Sequence, residues 1–221
     1  MDTARIAALL EPFIESPLPS STVDQISIYI DLLLRWNARI NLTAIRQPEE
    51  IVTRHFGESF FLARHLFPKS GTDYRPLTTD HRPPQVLDIG SGAGFPALPL
   101  KLWAPHIHLT LVESNHKKAA FLREVARALT LTNINVITDR AEVLAARPDF
   151  PRTEVVTLRA VEHFEAILPE AVTLLAPRAT LALLIGAAQL PRLTAATTMK
   201  WHLPIPIPQS RTRVLSIGVH E

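Results

Sequence analysis

The chain has 221 residues, 47% of them hydrophobic and 20% charged, a composition typical of one globular domain and unlike that of fibrous or disordered chains. The absence of cysteine excludes disulfide frameworks, cysteine-ligated zinc or iron–sulfur sites and thiol nucleophiles. Because 23 basic residues stand against 21 acidic ones, net charge alone identifies no partner.

The start of the chain indicates no targeting segment, because Asp2 places an acid early and no long apolar run precedes Glu11. The most apolar stretch, residues 173–190, is interrupted by Pro177 and Gly186, which argues against a membrane span. Together with the missing cysteines, these features predict a cytoplasmic protein.

Residues 1–67 are predicted to form an N-terminal helical cap, because they lack the alternation of a strand. Residues 21–24 offer a helix-capping signal ahead of apolar residues at helical spacing. A further helix is expected to start after Pro48 and to run towards Leu66. Residues 68–84 contain four prolines and are predicted to be an irregular surface connection.

From residue 85 onward, short apolar runs alternate with helical stretches, which predicts buried parallel strands in a doubly wound α/β sheet. The runs occupy residues 86–89, 109–112, 136–137, 155–158, 180–185 and 214–219. The helix after the second run is expected to be capped by Ser114 or Asn115. Residues 204–208, which alternate proline with isoleucine, are expected to be an extended connection before the last strand.

The strongest chemical signal follows the first predicted strand, at the edge where α/β sheets bind ligands. It is the segment Asp88-Ile89-Gly90-Ser91-Gly92-Ala93-Gly94-Phe95-Pro96. Three of the seven glycines fall within five positions, which favours ligand binding over a plain strand-to-helix turn. Glu113, at the end of the second predicted strand, can accept both ribose hydroxyls of an adenosine, although alone it would be an ordinary surface acid.

The spacing of the glycines distinguishes this loop from other nucleotide-binding loops. The dinucleotide fingerprint needs glycine where this chain has Phe95, and no Gly-Lys-Ser/Thr is present for a P-loop. The observed pattern is Asp-x-Gly-x-Gly-x-Gly, with Asp88 ahead of the glycines. It resembles the S-adenosylmethionine loop of Rossmann-like methyltransferases.

Several motifs, in one order and over nearly the whole chain, resemble the bacterial RsmG (GidB) family. They are Trp36-Asn37-Ala38-Arg39-Ile40-Asn41-Leu42-Thr43-Ala44-Ile45, Arg54-His55 with Ser59, Gly94-Phe95-Pro96, Glu113-Ser114-Asn115 with Lys117-Lys118, Arg140-Ala141-Glu142 and Arg159-Ala160. The resemblance implies an α/β, Rossmann-like class I methyltransferase fold, with a mainly parallel seven-stranded sheet in a methyltransferase domain over residues 85–221. It further implies methylation of N7 of a guanosine in 16S rRNA of the small ribosomal subunit, with S-adenosylmethionine converted to S-adenosylhomocysteine. We expect a monomer without a metal site.

The loop and the resemblance together assign candidate roles to individual residues. Candidate cofactor-binding residues are Asp88, Gly90, Gly92, Gly94, Phe95, Glu113, Ala141, Glu142 and Arg159. Arg159 and Arg140 are the candidate catalytic residues, and Asn41, His55 and Arg213 the candidate RNA-binding residues, with Arg140 also near the RNA-facing mouth. Structural alternatives stay open: Asn41 as a helix C-terminal residue, His55 on a helix surface near Glu58, and Arg140 and Arg159 in strand-end ion pairs with Glu142 and Glu162.

Five residues, at four places in the chain, depart from the family pattern. Glu58 stands where the family has Asp, Ala97 where it has Gly, Arg178-Ala179 where it has Gly-Gly, and Ile185 where it has Lys. The missing lysine removes a cation from the RNA contact or the active site. Two alternatives therefore remain: a same-fold methyltransferase with a small-molecule or protein substrate, and an inactive RNA-binding relative.

The chemistry implied by the resemblance needs few special residues. Guanine N7 has a lone pair and no proton, so its methylation requires neither a general base nor a cysteine nucleophile. Because the methylated purine is positively charged, we expect Arg159 at the guanine edge rather than over the ring. Contact with RNA would need a basic surface. Four arginines of the cap could form one basic face for this contact, or could simply be a solvated helix surface: Arg35, Arg39, Arg46 and Arg54.

Overall fold

The fold is described from a computed structural model, which defines residues 1–68, 82–159, 164–197 and 199–220. The predicted connection over residues 68–84 lies mostly outside these described residues, as do Ala160 and Glu162. Within the defined ranges, no helix combines the length and the apolar character needed to cross a membrane.

The N-terminal part is helical, as the sequence predicts. Helix α1 spans Thr3–Leu10, a 3₁₀ turn Glu11–Phe13, α2 Ser20–Asn37, α3 Pro48–Glu50 and α4 Glu58–Leu66. The capping prediction was wrong, because Ser21 and Thr22 already lie inside α2. The amides of Thr22 and Val23 donate instead to the carbonyl of Pro19, whose backbone is extended.

Between α3 and α4, residues Ile51–Gly57 form a π-helix. The predicted helix from Pro48 to Leu66 is therefore continuous but not α-helical throughout. The amide of Glu58 donates to the carbonyl of Thr53, five residues earlier, which is the wider turn of a π-helix, and also to that of His55. Such turns frequently occur at functional sites.

The described part of the chain contains one eight-stranded sheet in the order β3-β2-β1-β4-β5-β8-β6, with β7 also paired to β8. The first five strands are parallel, and β8 is antiparallel to β5. The strands are β1 Gln85–Ile89, β2 His108–Val112, β3 Ile134–Ile137, β4 Thr153–Arg159, β5 Leu175–Gly186, β6 Lys200–Trp201, β7 Ile205–Pro206 and β8 Arg213–Val219.

All six predicted strands are confirmed, and the sheet is mainly parallel, as expected. The sheet has eight strands where the resemblance implies seven, because two short strands, β6 and β7, join the six predicted ones by pairing with β8. Strand β7 lies within the predicted extended connection, where Ile205 is opposite Leu215. Two-residue strands are too short to produce a period-two pattern in a sequence. This is why sequence periodicity did not separate them from the connection.

Among the residues that the structure defines, five α-helices follow the first strand: α5 Ala97–Trp103, α6 His116–Ala128, α7 Ala141–Ala145, α8 Phe164–Thr173 and α9 Leu190–Ala196. Asn115 caps α6, because its side-chain oxygen accepts hydrogen bonds from the amides of Lys117 and Lys118. Of the two predicted caps, Asn115 is therefore the one used. Its position fixes the start of α6 immediately after Glu113.

Side chains alternate across the sheet and divide the interior into two apolar clusters. Val155 and Leu184 face a cluster that also contains Phe60 of the N-terminal helices. Leu158 and Ile185 face the other cluster, with residues of α7, α8 and α9. Because the N-terminal helices and one sheet face share a cluster, the division at residues 67 and 85 into two domains stays a prediction.

Candidate active site

The glycine segment turns sharply between β1 and α5. Gly90, Gly92 and Gly94 have φ values of 68°, 54° and 85°, in the left-handed region that favours glycine. The amides of Gly90 and Ser91 donate to the carbonyl of Val112, at 2.9 and 3.1 Å, and so tie the turn to the end of β2. The loop is thus built at the carboxyl edge of the sheet, where the sequence places it.

A cleft of about 290 Å³ opens beside this turn. Four predicted cofactor residues line it: Gly90, Glu113, Ala141 and Glu142. Arg140, predicted as a catalytic residue, also lines it. The cleft therefore brings together the ends of β1 and β2 with the start of α7.

The lining also includes residues that sequence reasoning did not select. Asp139 lies at the mouth of the cleft between β3 and α7, and Ile89, Val112 and Ile167 add apolar surface. Asp139 could have been found by the rule that selected Glu113, since it follows the third strand as Glu113 follows the second. Ile167 lies in α8, distant in sequence, and no local signal marks it.

Glu113 is held by backbone amides on both sides. One carboxylate oxygen accepts from the amide of Gly92 at 2.9 Å, and the other from the amide of Asn115 at 2.8 Å. A carboxylate has about four acceptor positions, so each oxygen keeps one free. Glu113 thus shapes the glycine loop and can still accept two hydroxyls.

Asp88 is buried beneath the loop, with 1% of its surface exposed. Its Oδ1 accepts a 2.5 Å hydrogen bond from the hydroxyl of Thr157, whereas Oδ2 has no partner. Burial raises the pKa of Asp88 to about 6, although the hydrogen bond from Thr157, the nearby hydroxyl of Ser91 and the charge of Arg159 act against it. The unpartnered oxygen is a buried acceptor at the base of the turn.

Phe95 joins the glycine loop to the N-terminal helices. Its ring stacks on Tyr29, with centroids 5.3 Å apart and an interplanar angle of 6°, and on His55, at 4.6 Å and 16°. The edge of Phe56 meets the same ring at 5.1 Å. The packed ring lies outside the lining of the cleft, so the predicted cofactor contact of Phe95 remains a prediction for its backbone and ring edge.

His55 is buried, not on a helix surface, so the structural alternative for this residue was wrong. Its Nε2 lies 2.8 Å from the hydroxyl oxygen of Thr43, and its Nδ1 has no hydrogen-bond partner. Burial, followed by the charges of Arg159, Arg54 and Arg213, lowers the pKa of His55 to about 2. The imidazole is therefore neutral near pH 7, and its predicted contact with RNA would be a hydrogen bond rather than an ion pair.

The Asn-Leu-Thr motif is shaped by Asn37, which sequence reasoning did not single out. The Asn37 side-chain oxygen accepts from the amides of Leu42 and Thr43, and its nitrogen donates to the carbonyl of Thr43 at 2.9 Å. Asn41 is exposed in this turn. Because α2 ends at Asn37, the alternative that Asn41 terminates a helix was wrong.

The buried carboxylate of Glu58 lies within ion-pair distance of three arginines. Its carboxylate lies 3.2 Å from Nε of Arg54, 3.3 Å from Nη2 of Arg159 and 2.9 Å from Nη2 of Arg213. Nη2 of Arg159 also donates to the carbonyl of Arg54 at 2.6 Å. The structure thus brings Arg159 and Arg213 together through Glu58, which the sequence marked only as a departure from the family.

The ion pairs proposed as structural alternatives for Arg159 and Arg140 can be compared with the contacts that these arginines make. The partner of Arg159 is Glu58, and Glu162 lies outside the described residues. Arg140 is exposed, and its amide donates to a side-chain oxygen of Asp139 at 2.8 Å. In the described ranges no ion pair joins Arg140 to Glu142.

Ile185, where the resemblance implies a lysine, lies on the sheet face opposite to Arg159 and Arg213. Arg159 pairs with Leu184 and Arg213 with Gly186, so these residues share one face and Ile185 points to the other. There it is 5% exposed, in the cluster with Leu158. The lost lysine therefore does not belong to the cluster around Glu58.

In the parts of the chain that the structure covers, no three His, Asp or Glu side chains come close enough to hold a metal ion.

The cap carries four exposed arginines, Arg35, Arg39, Arg46 and Arg54. Their use as one basic face stays a prediction.

The sheet order, the glycine turn and the cleft define a Rossmann-like class I methyltransferase fold, as predicted. The fold is similar to that of the ribosomal protein L11 methylase from Lactobacillus delbrueckii subsp. bulgaricus, with a TM-score of 0.57 and 14% identity, covering 76% of this chain and 79% of that one. It is also similar to a SAM-dependent methyltransferase from Aquifex aeolicus, with a TM-score of 0.51 and 16% identity, covering 63% and 84%.

Sequence comparison gives the family within this class. The GidB family, rRNA small subunit methyltransferase G, matches residues 22–202, and the chain belongs to it. The chain is 41% identical over 152 residues to ribosomal RNA small subunit methyltransferase G of Roseiflexus castenholzii, covering 68% of this chain and 59% of that protein. The corresponding Bacillus subtilis protein is 36% identical over 146 residues, covering 66% and 56%. The matches thus span less than two thirds of the length of these relatives.

Proposed function

We propose that the protein transfers a methyl group from S-adenosylmethionine to N7 of a guanosine in 16S rRNA, acting on the small ribosomal subunit in the cytoplasm. The observation that carries this proposal is the cleft bounded by the glycine turn and the Glu113 carboxylate, in a chain of the GidB family. S-Adenosylhomocysteine is the expected second product.

The residues around the cleft fit the cofactor chemically. Glu113 keeps free acceptor positions for the ribose hydroxyls, and Ile89, Val112 and Ile167 supply apolar surface for the adenine. The backbone at Ala141 and Glu142 can recognise the edge of the base. Asp88 offers a buried oxygen without a partner beneath the loop.

When bound, S-adenosylmethionine supplies an electrophilic methyl group on a sulfonium ion. The remaining task of the protein is orientation, because N7 already carries the lone pair that attacks and no proton has to leave. Correct alignment alone can lower such a barrier by several kcal/mol. This agrees with a chain that has no cysteine and needs no nucleophile of its own.

Arg159 and Arg213 have donors available for the substrate. Nη1 of Arg159 and Nε of Arg213 are buried and have no hydrogen-bond partner. We assign them to acceptors of the RNA, such as guanine O6 or a phosphate oxygen, because guanidinium groups bind both well. Placement at the edge of the base avoids a cation over a ring that becomes positively charged.

The test is methylation of small-subunit particles from a strain that lacks this modification, with S-adenosylmethionine as donor. Aniline cleavage, which is selective for 7-methylguanosine, then locates the product. Cleavage at one guanosine of 16S rRNA supports the proposal. Methyl incorporation into another fraction of the extract would instead indicate a different substrate, and failure to bind the cofactor would indicate an inactive RNA-binding relative.

Two variants sharpen the test. Gly90→Asp places a carboxylate at a position with positive φ on the cleft wall, so it should abolish cofactor binding. Arg159→Ala should reduce transfer more than cofactor affinity. Arg192→Ala, which removes an exposed arginine paired with Glu165, is the matched control and should leave transfer unchanged.

A further inference from the structure

Glu58 is the carboxylate that the two most buried arginines of the site, Arg159 and Arg213, share. The side chain of Glu58 is 2% exposed, that of Arg159 6% and that of Arg213 19%, and the cluster also includes the more exposed Arg54. Burial lowers the pKa of Arg159 to about 10, so this guanidinium stays charged at pH 7. Arg54 also lies 3.7 Å from the exposed Glu50, so the buried part of the cluster, Arg159 and Arg213 with Glu58, carries a net charge of about +1.

Of the neighbouring titratable groups, His55 adds no charge, whereas Asp88, whose pKa is raised to about 6, is largely ionised at pH 7 and offsets part of this charge. His55, packed in the same turn, is neutral near pH 7 because burial and the arginines lower its pKa to about 2. Asp88 lies on the same side of the sheet as Arg159, and the charge of Arg159 lowers the pKa of its carboxyl. The arginine cluster and the base of the glycine loop are thus within electrostatic reach of each other.

The position of the cluster links it to the cofactor edge. Arg159 ends β4, which pairs with β1, and the glycine loop starts where β1 ends. Arg213 begins β8 opposite Gly186, the last residue of β5, so it lies at the same carboxyl edge. The sulfonium of S-adenosylmethionine is a permanent cation, so without the Glu58 carboxylate the positive charge of Arg159 and Arg213 at this edge would oppose its binding.

We propose that Glu58 is a positioning residue for methyl transfer: its carboxylate holds Arg159 and Arg213 in place and offsets enough of their charge for a sulfonium cofactor to bind beside them. The inference rests on the proposed function, because it requires S-adenosylmethionine as the cofactor. It predicts that Glu58 acts through the arginines, and that its effect on binding depends on the charge of the ligand rather than on the shape of the ligand.

The experiment compares two ligands that differ in this charge. S-Adenosylmethionine is a sulfonium cation at sulfur, whereas S-adenosylhomocysteine is a neutral thioether of nearly the same shape. In Glu58→Gln, calorimetry at low salt should show the affinity for S-adenosylmethionine falling about 3- to 10-fold more than that for S-adenosylhomocysteine. Glu58→Asp keeps the charge, so its affinity ratio should stay within about twofold of the original.

Arg54 provides a compensating variant. Its side chain is 44% exposed, so Arg54→Gln should fold and should favour S-adenosylmethionine over S-adenosylhomocysteine by about twofold, the opposite direction to Glu58→Gln. The double variant Glu58→Gln with Arg54→Gln restores the net charge of the cluster and should bring the ratio back. If Glu58→Gln does not fold, the sign of the Arg54→Gln shift decides the question.

The outcomes separate the inference from the proposed function. Equal losses for both ligands in Glu58→Gln, or an unchanged ratio in Arg54→Gln, would overturn the electrostatic role and leave Glu58 as a purely structural ion pair. Unaltered protein that binds neither ligand would overturn the proposed function itself, before any variant is measured. A ratio that shifts as expected, and weakens at high salt, supports Glu58 as a positioning residue.

Discussion

The hydroxyl of Tyr29 donates a 2.6 Å hydrogen bond to the backbone carbonyl of Ala93, which connects helix α2 to the middle of the glycine loop. Burial, and to a lesser extent the charge of Asp88, raises the pKa of Tyr29 well above its usual value, so the hydroxyl remains a donor at physiological pH. The ring of Tyr29 also stacks on Phe95, the residue that follows the last glycine. The N-terminal helices therefore hold the loop that bounds the cleft.

Tyr29→Phe should loosen the loop. The change removes one buried hydrogen bond and leaves the Ala93 carbonyl without it, which we expect to cost about 1–3 kcal/mol in the free energy of unfolding. Because the carbonyl belongs to the loop, the affinity for S-adenosylmethionine should also fall several-fold. Denaturant unfolding and calorimetry on the same preparation measure the two effects.

Ser59→Ala is the matched control for Tyr29→Phe. Ser59 is fully buried, and its hydroxyl donates a 2.6 Å hydrogen bond to the carbonyl of His55, not to a residue of the glycine loop. It should lose comparable stability with little change in cofactor affinity. If both variants lose affinity in proportion to stability, the bond between Tyr29 and Ala93 has no specific role at the loop.

Gly94→Ala should be far more damaging than Gly92→Ala. Both glycines have positive φ, but a β-carbon at Gly94 would meet the Tyr29 hydroxyl and lie 2.6 Å from Cδ1 of Leu98, whereas at Gly92 the nearest atom would be 3.7 Å away. Backbone strain should cost each variant about 1–2 kcal/mol. Only Gly94→Ala adds a clash in the core, so its melting temperature should be clearly the lower of the two. Equal melting temperatures would contradict this.

The contrast between the loop and the arginine cluster shows what could be predicted from the sequence. The glycine turn, Glu113 and the Asn115 cap depend on residues close in sequence and on the strand that precedes them, so local patterns found them. Glu58 could not be assigned in this way. Its partners Arg159 and Arg213 come from strands about 100 and 155 residues further along the chain, and only the sheet register brings them together.

Burial explains the other differences. His55 lies in a helical segment whose pattern does not reveal that the loop residue Phe95 covers it. The π-helix over Ile51–Gly57 changes the direction of side chains without changing the helical appearance of the sequence. Resemblance to the family therefore indicated the importance of His55, whereas its neutral, buried state became visible only in the packed structure.

Asp88→Asn should change how stability depends on pH. The buried carboxyl of Asp88 has its pKa raised to about 6, whereas in an unfolded chain the value is about 4. Between these values the unfolded chain releases the proton and the folded protein keeps it, so this group makes stability fall as pH rises. The asparagine variant lacks this fall and still accepts the hydrogen bond from Thr157.

The measurement is the free energy of unfolding of both proteins from pH 4 to pH 7.5. The difference should grow in favour of Asp88→Asn by about 3 kcal/mol up to about pH 6.5 and then become constant. All other groups, including His55, titrate in both proteins and cancel in the difference. A difference that does not change with pH would mean that Asp88 ionises in the folded protein as it does in water.

Arg178→Gly should stabilise the protein, because Arg178 has a φ of 63°, in the left-handed region that favours glycine, and the resemblance implies glycine at this position. The left-handed conformation costs a residue with a β-carbon about 1–2 kcal/mol. Glycine also gains freedom in the unfolded chain, which removes about 0.4–1 kcal/mol of that benefit. The amide of residue 178 keeps its 2.9 Å hydrogen bond to the carbonyl of His220 in either case.

The net expectation for Arg178→Gly is a gain of about 0.5–1 kcal/mol, or about 2 °C in melting temperature for a chain of this size. Arg178→Ala is the control, because it removes the same exposed side chain but keeps the β-carbon and its strain. It should show no gain. Equal stabilisation by alanine would trace the effect to the arginine side chain, whereas stabilisation by glycine alone would show that this departure from the family pattern carries a cost in the backbone.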